Sequence, residues 1–563
     1  MLKLAMTLLC AAALQATAQG PQIPQINAVS VQVDLTKPVG TYTPIYRWFG
    51  YDESNYTTMK YGRQLLAELH DLSPDPVYIR AHHLLTSGNG VAELKWSSSN
   101  VFTMDANGKP VYDFTITDKT FDEFQKAGVR PVVELGFMPK DLAAKVPGVS
   151  EYQVRYPKNT ISGASNNPPR DYALWGELVR RYTEHLVERY GKDKVSTWYF
   201  EVWNEPDIDY WHGTPAEYYK LYDYAVDGVR KGLPNAIVGG PASTGPASEK
   251  ASAFLNNFLK HCRDDKSAAN GKAIPLDFIS FHPKGQPKVI DGHVQMGLDH
   301  ELKAAAKGFS IVASYPKYAH LPIILSEADP EGCAACSMKV NPANAYRNGP
   351  LYPAYTATAI KALFDLQDQY KVNLIAMLSW AFEFEGKDYF EGFRTLSTNG
   401  IDKPILNVFR MAGLMSGERV STSSTGQVAL NDILSSGVRG ADDVDAFATK
   451  GDHEAAVMLW NYHDDDVPAA GAEVKVTIAG IPSGVKRVLL EHYRIDETHS
   501  NSYHLWKAME SPQTPTEAQY AQLKEAGQLE LLHSPTWLDV SDGKVTVVTA
   551  LPRQATSLMH LKW

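Results

Sequence analysis

The sequence predicts an α/β chain: a (β/α)8 TIM barrel with a C-terminal antiparallel β-sandwich domain. Three observations lead there. Eight short β-rich runs alternate with amphipathic stretches between residues 45 and 382. Those runs are apolar on both faces, as strands covered on both sides must be. After about residue 415 the pattern changes to short β-rich runs separated by Gly, Asp and Pro turns, which is how a sandwich reads.

The eight runs are "IYRWFG" (45–50), "VYIRAH" (77–82), "RPVVELGF" (130–137), "STWYFEVWNE" (196–205), "AIVGGPA" (236–242), "DFISFHP" (277–283), "PIILSEAD" (322–329) and "LIAMLSWAF" (374–382). Between them "DYALWGELVRRYTEHLVERY" (171–190), "PAEYYKLYDYAVDGVRKG" (215–232) and "YPAYTATAIKALFDLQDQ" (352–369) read as helices. Strands alternating with helices pair in parallel, and eight such units close a barrel with enlarged loops. An open doubly wound sheet is the alternative, but no G-x-G-x-x-G follows the first run.

In the last third, "QVALNDI", "VDAFATK", "EAAVMLWNYH", "AEVKVTIAG", "KRVLLEHYRI" and "KVTVVTA" read as strands, and 514–532 as an inserted helix. The early run "INAVSVQVDL" (26–35) precedes the barrel. The expected organisation is a leader at 1–18, a strand segment at 19–40 pairing with the sandwich, a barrel over 41–415 and a sandwich over 416–563.

Lys3, the apolar stretch "LAMTLLCAAAL" and Ala16-Thr17-Ala18 have the order of a secretory signal, so a secreted or periplasmic protein is expected. No apolar run reaches the roughly eighteen residues of a membrane span. Hydrophobic residues at 44% and charged residues at 21% allow large packed cores. A net charge of -10 argues against nucleic acid as a partner, because phosphate binding needs clustered Lys and Arg. Beyond the leader only Cys262, Cys333 and Cys336 remain. Cys333-x-x-Cys336 reads as a loop disulfide, with a metal half-site or redox pair as alternatives.

In parallel barrels the reactive groups sit where strands end. Glu205 ends the fourth run and Glu327 the seventh, so residues remote in sequence belong to one rim. Two facing carboxylates can hydrolyse a glycosidic bond, one protonating the leaving oxygen while the other attacks or activates water. Glu201 and Glu134 lie deeper and read as structural, Asp207 as a loop residue and Asp329 as an Asx-turn residue.

The segments "FEVWNEPD", "YIRAHHLL", "FGYDESNYT", "DFISFHPKG", "LSEADP" and "NGIDKPILNVF" resemble glycoside hydrolase family 39, which holds β-D-xylosidases and α-L-iduronidases. "YRIDETHSNSYHLW" and "PTEAQYAQL" extend the resemblance into the last third. It implies a retaining double displacement on an oligo- or polysaccharide, with no cofactor and no metal. Glu205 would be the acid/base and Glu327 the nucleophile, with carboxyl groups about 5 Å apart. Asn204 would hydrogen-bond the sugar 2-hydroxyl, His82 would bind sugar hydroxyls and Arg80 would hold the site in shape. His282 reads equally as pocket wall and as satisfied core histidine.

The resemblance divides over the sugar. Lys284 stands where the xylosidases carry Tyr and the iduronidases a carboxylate-gripping Lys, and Arg394 precedes the Thr-Leu pair as in the iduronidases. Trp380 instead matches the sugar-stacking Trp of the xylosidases. Lys284 and Arg394 read either as a uronate clamp or as salt-bridge partners of Glu331, Glu383 or Glu385. The alternatives to an exo-acting glycosidase are a catalytically altered carbohydrate-binding protein, an α-L-arabinosidase and an endo-glycosidase.

Overall fold

The computed structural model describes residues 27–95, 97–146, 164–333, 335–380 and 382–563; the expected leader lies outside them. Each of the eight runs contributes a strand to one sheet. In chain order these are Trp48–Tyr51, Tyr78–Ala81, Arg130–Leu135, Tyr199–Val202, Ile237–Thr244, Phe278–His282, Pro322–Leu325, and an eighth broken into Asn373–Met377 and Ser379–Trp380. Neighbours pair in parallel in that order. The two halves of the eighth strand pair with the seventh and the first, so the sheet returns on itself as a barrel.

Strand alternation sorts the side chains into layers. Trp48, Tyr78, Val132, Phe278, Ile324 and Ala376 face inward and form an apolar floor, with Trp48 stacked on Tyr78 at 4.0 Å. Their neighbours Phe49, Ile79, Val133, Phe200 and Ile323 face out into the larger core beneath the helices. Two residues further up the same strands, the inward positions turn polar: Arg80, Glu134, Glu201 and Ser280. Gly50 sits at this level because a Cβ there would lie 3.1 Å from the Trp380 ring and 2.9 Å from Leu378.

The three expected helices occupy Tyr172–Tyr190, Pro215–Gly232 and Leu351–Tyr370. Asp171 caps the first, and Thr214 with Glu217 forms a capping box on the second.

The last third is one strongly curled ten-stranded sheet that encloses its own apolar core. The strand Asn27–Thr41 lies inside it, antiparallel to Glu418–Ser424 and parallel to Ala472–Ala479, the one parallel pair in an otherwise antiparallel sheet. "QVALNDI" corrects the strand reading: Leu430–Ser436 is a short helix, because Leu430, Ile433 and Leu434 repeat with helical rather than strand spacing. Helix Leu351–Tyr370 joins the two units, stacking Phe364 on Phe447 at 5.5 Å and pairing Asp368 with Arg419 through two 2.9 Å contacts.

Candidate active site

The fourth strand ends at Val202, three residues short of Glu205. The chain then turns through positive φ at Trp203 (71°) and Glu205 (45°), and the Glu205 amide donates to the Ala242 carbonyl at 2.8 Å. Glu205 is therefore a loop residue, aimed by a turn that extended backbone could not make. Glu327 stands two residues beyond the seventh strand, which ends at Leu325.

These two carboxylates and His282 converge, with one oxygen of each acid and a ring nitrogen within 4.8 Å of one another. His282 Nδ1 is 2.9 Å from Glu205 Oε1 and 3.7 Å from Glu327 Oε1, while its Nε2 contacts Ser326 Oγ at 3.1 Å. Both ring nitrogens of His282 are thus partnered, as in a satisfied core histidine. The side chains of Glu205 and Glu327 are only 14% and 7% exposed.

The two acids sit in different electrostatic surroundings. Glu327 contacts Lys284 Nζ at 2.6 Å and Arg80 Nη1 at 3.2 Å, with His82 Nε2 at 3.6 Å. Burial pushes its pKa up, but Lys284, His282, Arg80 and Arg394 outweigh it and hold the carboxyl well below the usual range. Among the described residues, Glu205 has only His282 as an ionisable hydrogen-bond partner.

Beneath them Arg80, fully buried, binds Glu201, Glu134 (3.3 Å), Glu327 (3.2 Å) and Asn204 Oδ1 (3.1 Å), with the ring of His82 beside it. Taking the amide oxygen of Asn204 leaves its NH2 group for other partners. Burial opposes a charge on His82, but Glu134 at 2.7 Å and Asp52 at 2.8 Å raise its pKa to about 9. Burial raises Glu134, whereas Arg80 overcomes burial to lower Glu201. Asp207 latches the fourth loop to the fifth by accepting from the Thr244 amide (2.9 Å) and hydroxyl.

Lys284 and Arg394 do not pair with Glu383 or Glu385. Both reach Asp329, at 2.6 Å and 3.3 Å, and Arg394 also donates to the Glu331 carbonyl at 2.6 Å. Asp329 is thus an ion-pair hub rather than an Asx-turn residue. Glu383 is instead satisfied by the Ser397 hydroxyl and the Asn399 amide, and Glu385 by the Tyr61 amide. Trp380 lies among cations, with Arg394 4.7 Å and Lys284 5.6 Å from its ring centroid, and His82 edge-on at 4.8 Å. The Trp380 side chain is buried.

Asp52 escaped the sequence reading, although it directly follows the first strand, while Glu327 stands two residues beyond the seventh. Asp52 bonds His82 and Lys95 Nζ (2.5 Å). Asp52, His82 and His83 have the spacing of a three-ligand metal site, as do Glu205, His282 and Glu327. Resident cations already occupy both: Lys95 on Asp52, and Lys284 with Arg80 on Glu327.

The family model for glycosyl hydrolases family 39 matches residues 31–533. This chain belongs to glycosyl hydrolase family 39. As a family 39 glycosidase it acts on carbohydrate. It is 26% identical over 455 residues to a β-xylosidase of Geobacillus stearothermophilus, covering 78% of this chain and 77% of that one. It is also 26% identical over 418 residues to the human α-L-iduronidase, covering 69% and 60%. The fold matches a solved monomeric β-xylosidase from Caulobacter crescentus CB15 with a TM-score of 0.72 at 21% identity, over 95% of this chain and 99% of that one. A bacterial orthologue of human α-L-iduronidase matches with a TM-score of 0.73 at 19% identity, over 95% and 84%. Among the described residues no helix is long and apolar enough to cross a membrane.

Proposed function

We propose that this family 39 glycosidase is an exo-acting retaining enzyme that removes a terminal α-L-idurono- or β-D-xylo-configured sugar from an extracytoplasmic glycan. The observation that carries this reading is the pair of unlike carboxylates. One oxygen of each lies within 4.8 Å of the other, which supports the ~5–5.5 Å carboxyl spacing of double displacement over the ~6.5–9.5 Å that leaves room for an inverting water. Lysine and arginine contacts fall on Glu327, so it stays ionised as a nucleophile.

In the first step a Glu327 oxygen bonds to the anomeric carbon while Glu205 gives its proton to the departing glycosidic oxygen. The product is a glycosyl ester on Glu327. Glu205, now a carboxylate, takes a proton from water, whose oxygen attacks the anomeric carbon and releases Glu327. Asn204, held by Arg80, offers its NH2 group to the 2-hydroxyl, an interaction that strengthens as positive charge develops on the ring. His82 supports the site from beneath.

A uronate is favoured over a neutral pentose because Lys284 and Arg394 converge beside Trp380. Replacing the Asp329 and Glu327 contacts of Lys284 by a substrate carboxylate would also free the nucleophile. The neutral reading rests on the same Asp329, which already balances both cations. The Cys333–Cys336 disulfide supports an oxidising, extracytoplasmic setting.

The test is Glu327→Ala assayed with aryl α-L-iduronide, β-D-xyloside and α-L-arabinoside. Turnover should fall by at least about 10³-fold, and azide should partly restore it by entering the vacated site. Near-native turnover by Glu327→Ala would remove the mechanism. Glycan binding by the native enzyme without hydrolysis of any substrate would favour a binding protein.

A further inference from the structure

The loop after the seventh strand carries Asp329 and Glu331, and the loop after the eighth carries Arg394. Arg347 connects them. Its guanidinium donates to the Cys333 carbonyl from both terminal nitrogens at 3.2 Å, to the Cys336 carbonyl at 3.4 Å and to the Gly392 carbonyl at 3.1 Å. Cys333 lies two residues after Glu331, whose carbonyl holds Arg394, and Gly392 lies two residues before Arg394. Arg347 therefore grips both sides of the Arg394 contact within a few residues of it.

Arg347 is only 1% exposed and has no carboxylate partner among the described residues. Removing an ion from water is costly, and carbonyl hydrogen bonds return only part of that cost, so net stability is a poor reason for a buried cation here. Geometry is a better one. The Cys333–Cys336 disulfide closes a four-residue turn whose first and last carbonyls both face Arg347, and Asn344 Nδ2 donates to the Cys336 carbonyl at 2.8 Å. On the other side Gly392 has φ 78°, and a Cβ there would lie 3.0 Å from Met338 Cβ, while Met338 donates to the Glu391 carbonyl at 2.7 Å. The next carbonyl, that of Phe393, is taken by Lys403 Nζ at 3.2 Å.

We propose that Arg347 and the Cys333–Cys336 disulfide are positioning elements for Arg394, holding it in the orientation that recognises a carboxylate-bearing sugar. This rests on the uronate reading above. Opening the disulfide frees the turn, loosens the carbonyls that seat Arg347 and lets the two loops separate.

The native enzyme can be tested directly, because both cysteines are partly exposed whereas Cys262 is buried. A water-soluble phosphine reduces the disulfide: phosphorus takes oxygen from water and becomes the phosphine oxide, and two thiols remain. Reduction should raise KM for an aryl α-L-iduronide about tenfold and leave kcat within twofold, the pattern of binding lost equally from ground and transition state. Re-oxidation should restore KM. Arg347→Lys and Cys333→Ser/Cys336→Ser should shift KM in the same direction. An unchanged KM once two thiols titrate would overturn the proposal, as would a parallel loss in kcat without recovery on re-oxidation. If the oxidised enzyme does not hydrolyse the uronide at all, the substrate reading itself fails.

Discussion

Arg80 is the residue on which the centre of the barrel depends, since its one guanidinium sits on Glu134, Glu201 and Glu327 and takes the Asn204 oxygen. His82 supplies the second positive charge. Its folded pKa of about 9 exceeds the ordinary 6.5, because Glu134 and Asp52 outweigh the cost of burial. Its contribution to stability is therefore fully present below about pH 6.5 and is lost as pH rises through about 9. Glu327 has the opposite sign: its depressed pKa contributes above about pH 4.5 and is lost as pH falls toward the folded value. Thermal unfolding of His82→Gln should show a lower Tm than the native protein at pH 6 and a smaller Tm loss between pH 7 and 10. Equal alkaline losses in the two proteins would contradict this account. The convergence of Glu205 and Glu327 was legible in the sequence because both follow barrel strands onto one rim. The role of Asp329 was not, since its partners Lys284 and Arg394 come from two other loops. Asp52 obeyed the same strand-end rule but was hidden within a motif quoted for its resemblance alone.

At the scale of elements, the barrel strands were legible because both of their faces are buried, leaving continuous apolar runs bounded by turns. Besides the short strands Glu530–Leu531, which falls inside the 514–532 helix reading, and Thr536–Asp539, two longer strands of the C-terminal sheet escaped notice, Glu418–Ser424 and Thr556–Lys562. The last of these buries polar residues: Ser557 bonds Arg494 (2.7 Å) and His492, and His560 bonds Glu454 (2.9 Å), partners supplied by neighbouring strands. Alternation cannot be read where inward positions are polar and paired. Helix Leu298–Ala313 shows packing overruling propensity. Gly308 lies mid-helix, where alanine is ordinarily better by about 1 kcal/mol. Yet a Cβ there would stand 2.2 Å from Phe281 Cζ and 2.5 Å from Cε2, inside a buried ring that precedes His282. Gly308→Ala should therefore destabilise, by about 1–3 kcal/mol in chemical denaturation, from overpacking. A gain in stability would show that the helix and the sixth strand can separate freely.

For the molecule as a whole, the barrel and the curled sheet are bound through the strand Asn27–Thr41, which starts the described chain yet lies within the C-terminal sheet, and through helix Leu351–Tyr370. Closure of the barrel brings Glu205 and Glu327, 122 residues apart in sequence, together, with one oxygen of each within 4.8 Å of the other. In the proposed mechanism hydrolysis passes through a covalent glycosyl ester on Glu327. Proton NMR of the first product released from an aryl glycoside that the enzyme turns over tests it most directly, read before the sugar mutarotates. The account predicts a hemiacetal with the anomeric configuration of the substrate. A first product of the opposite configuration would contradict it.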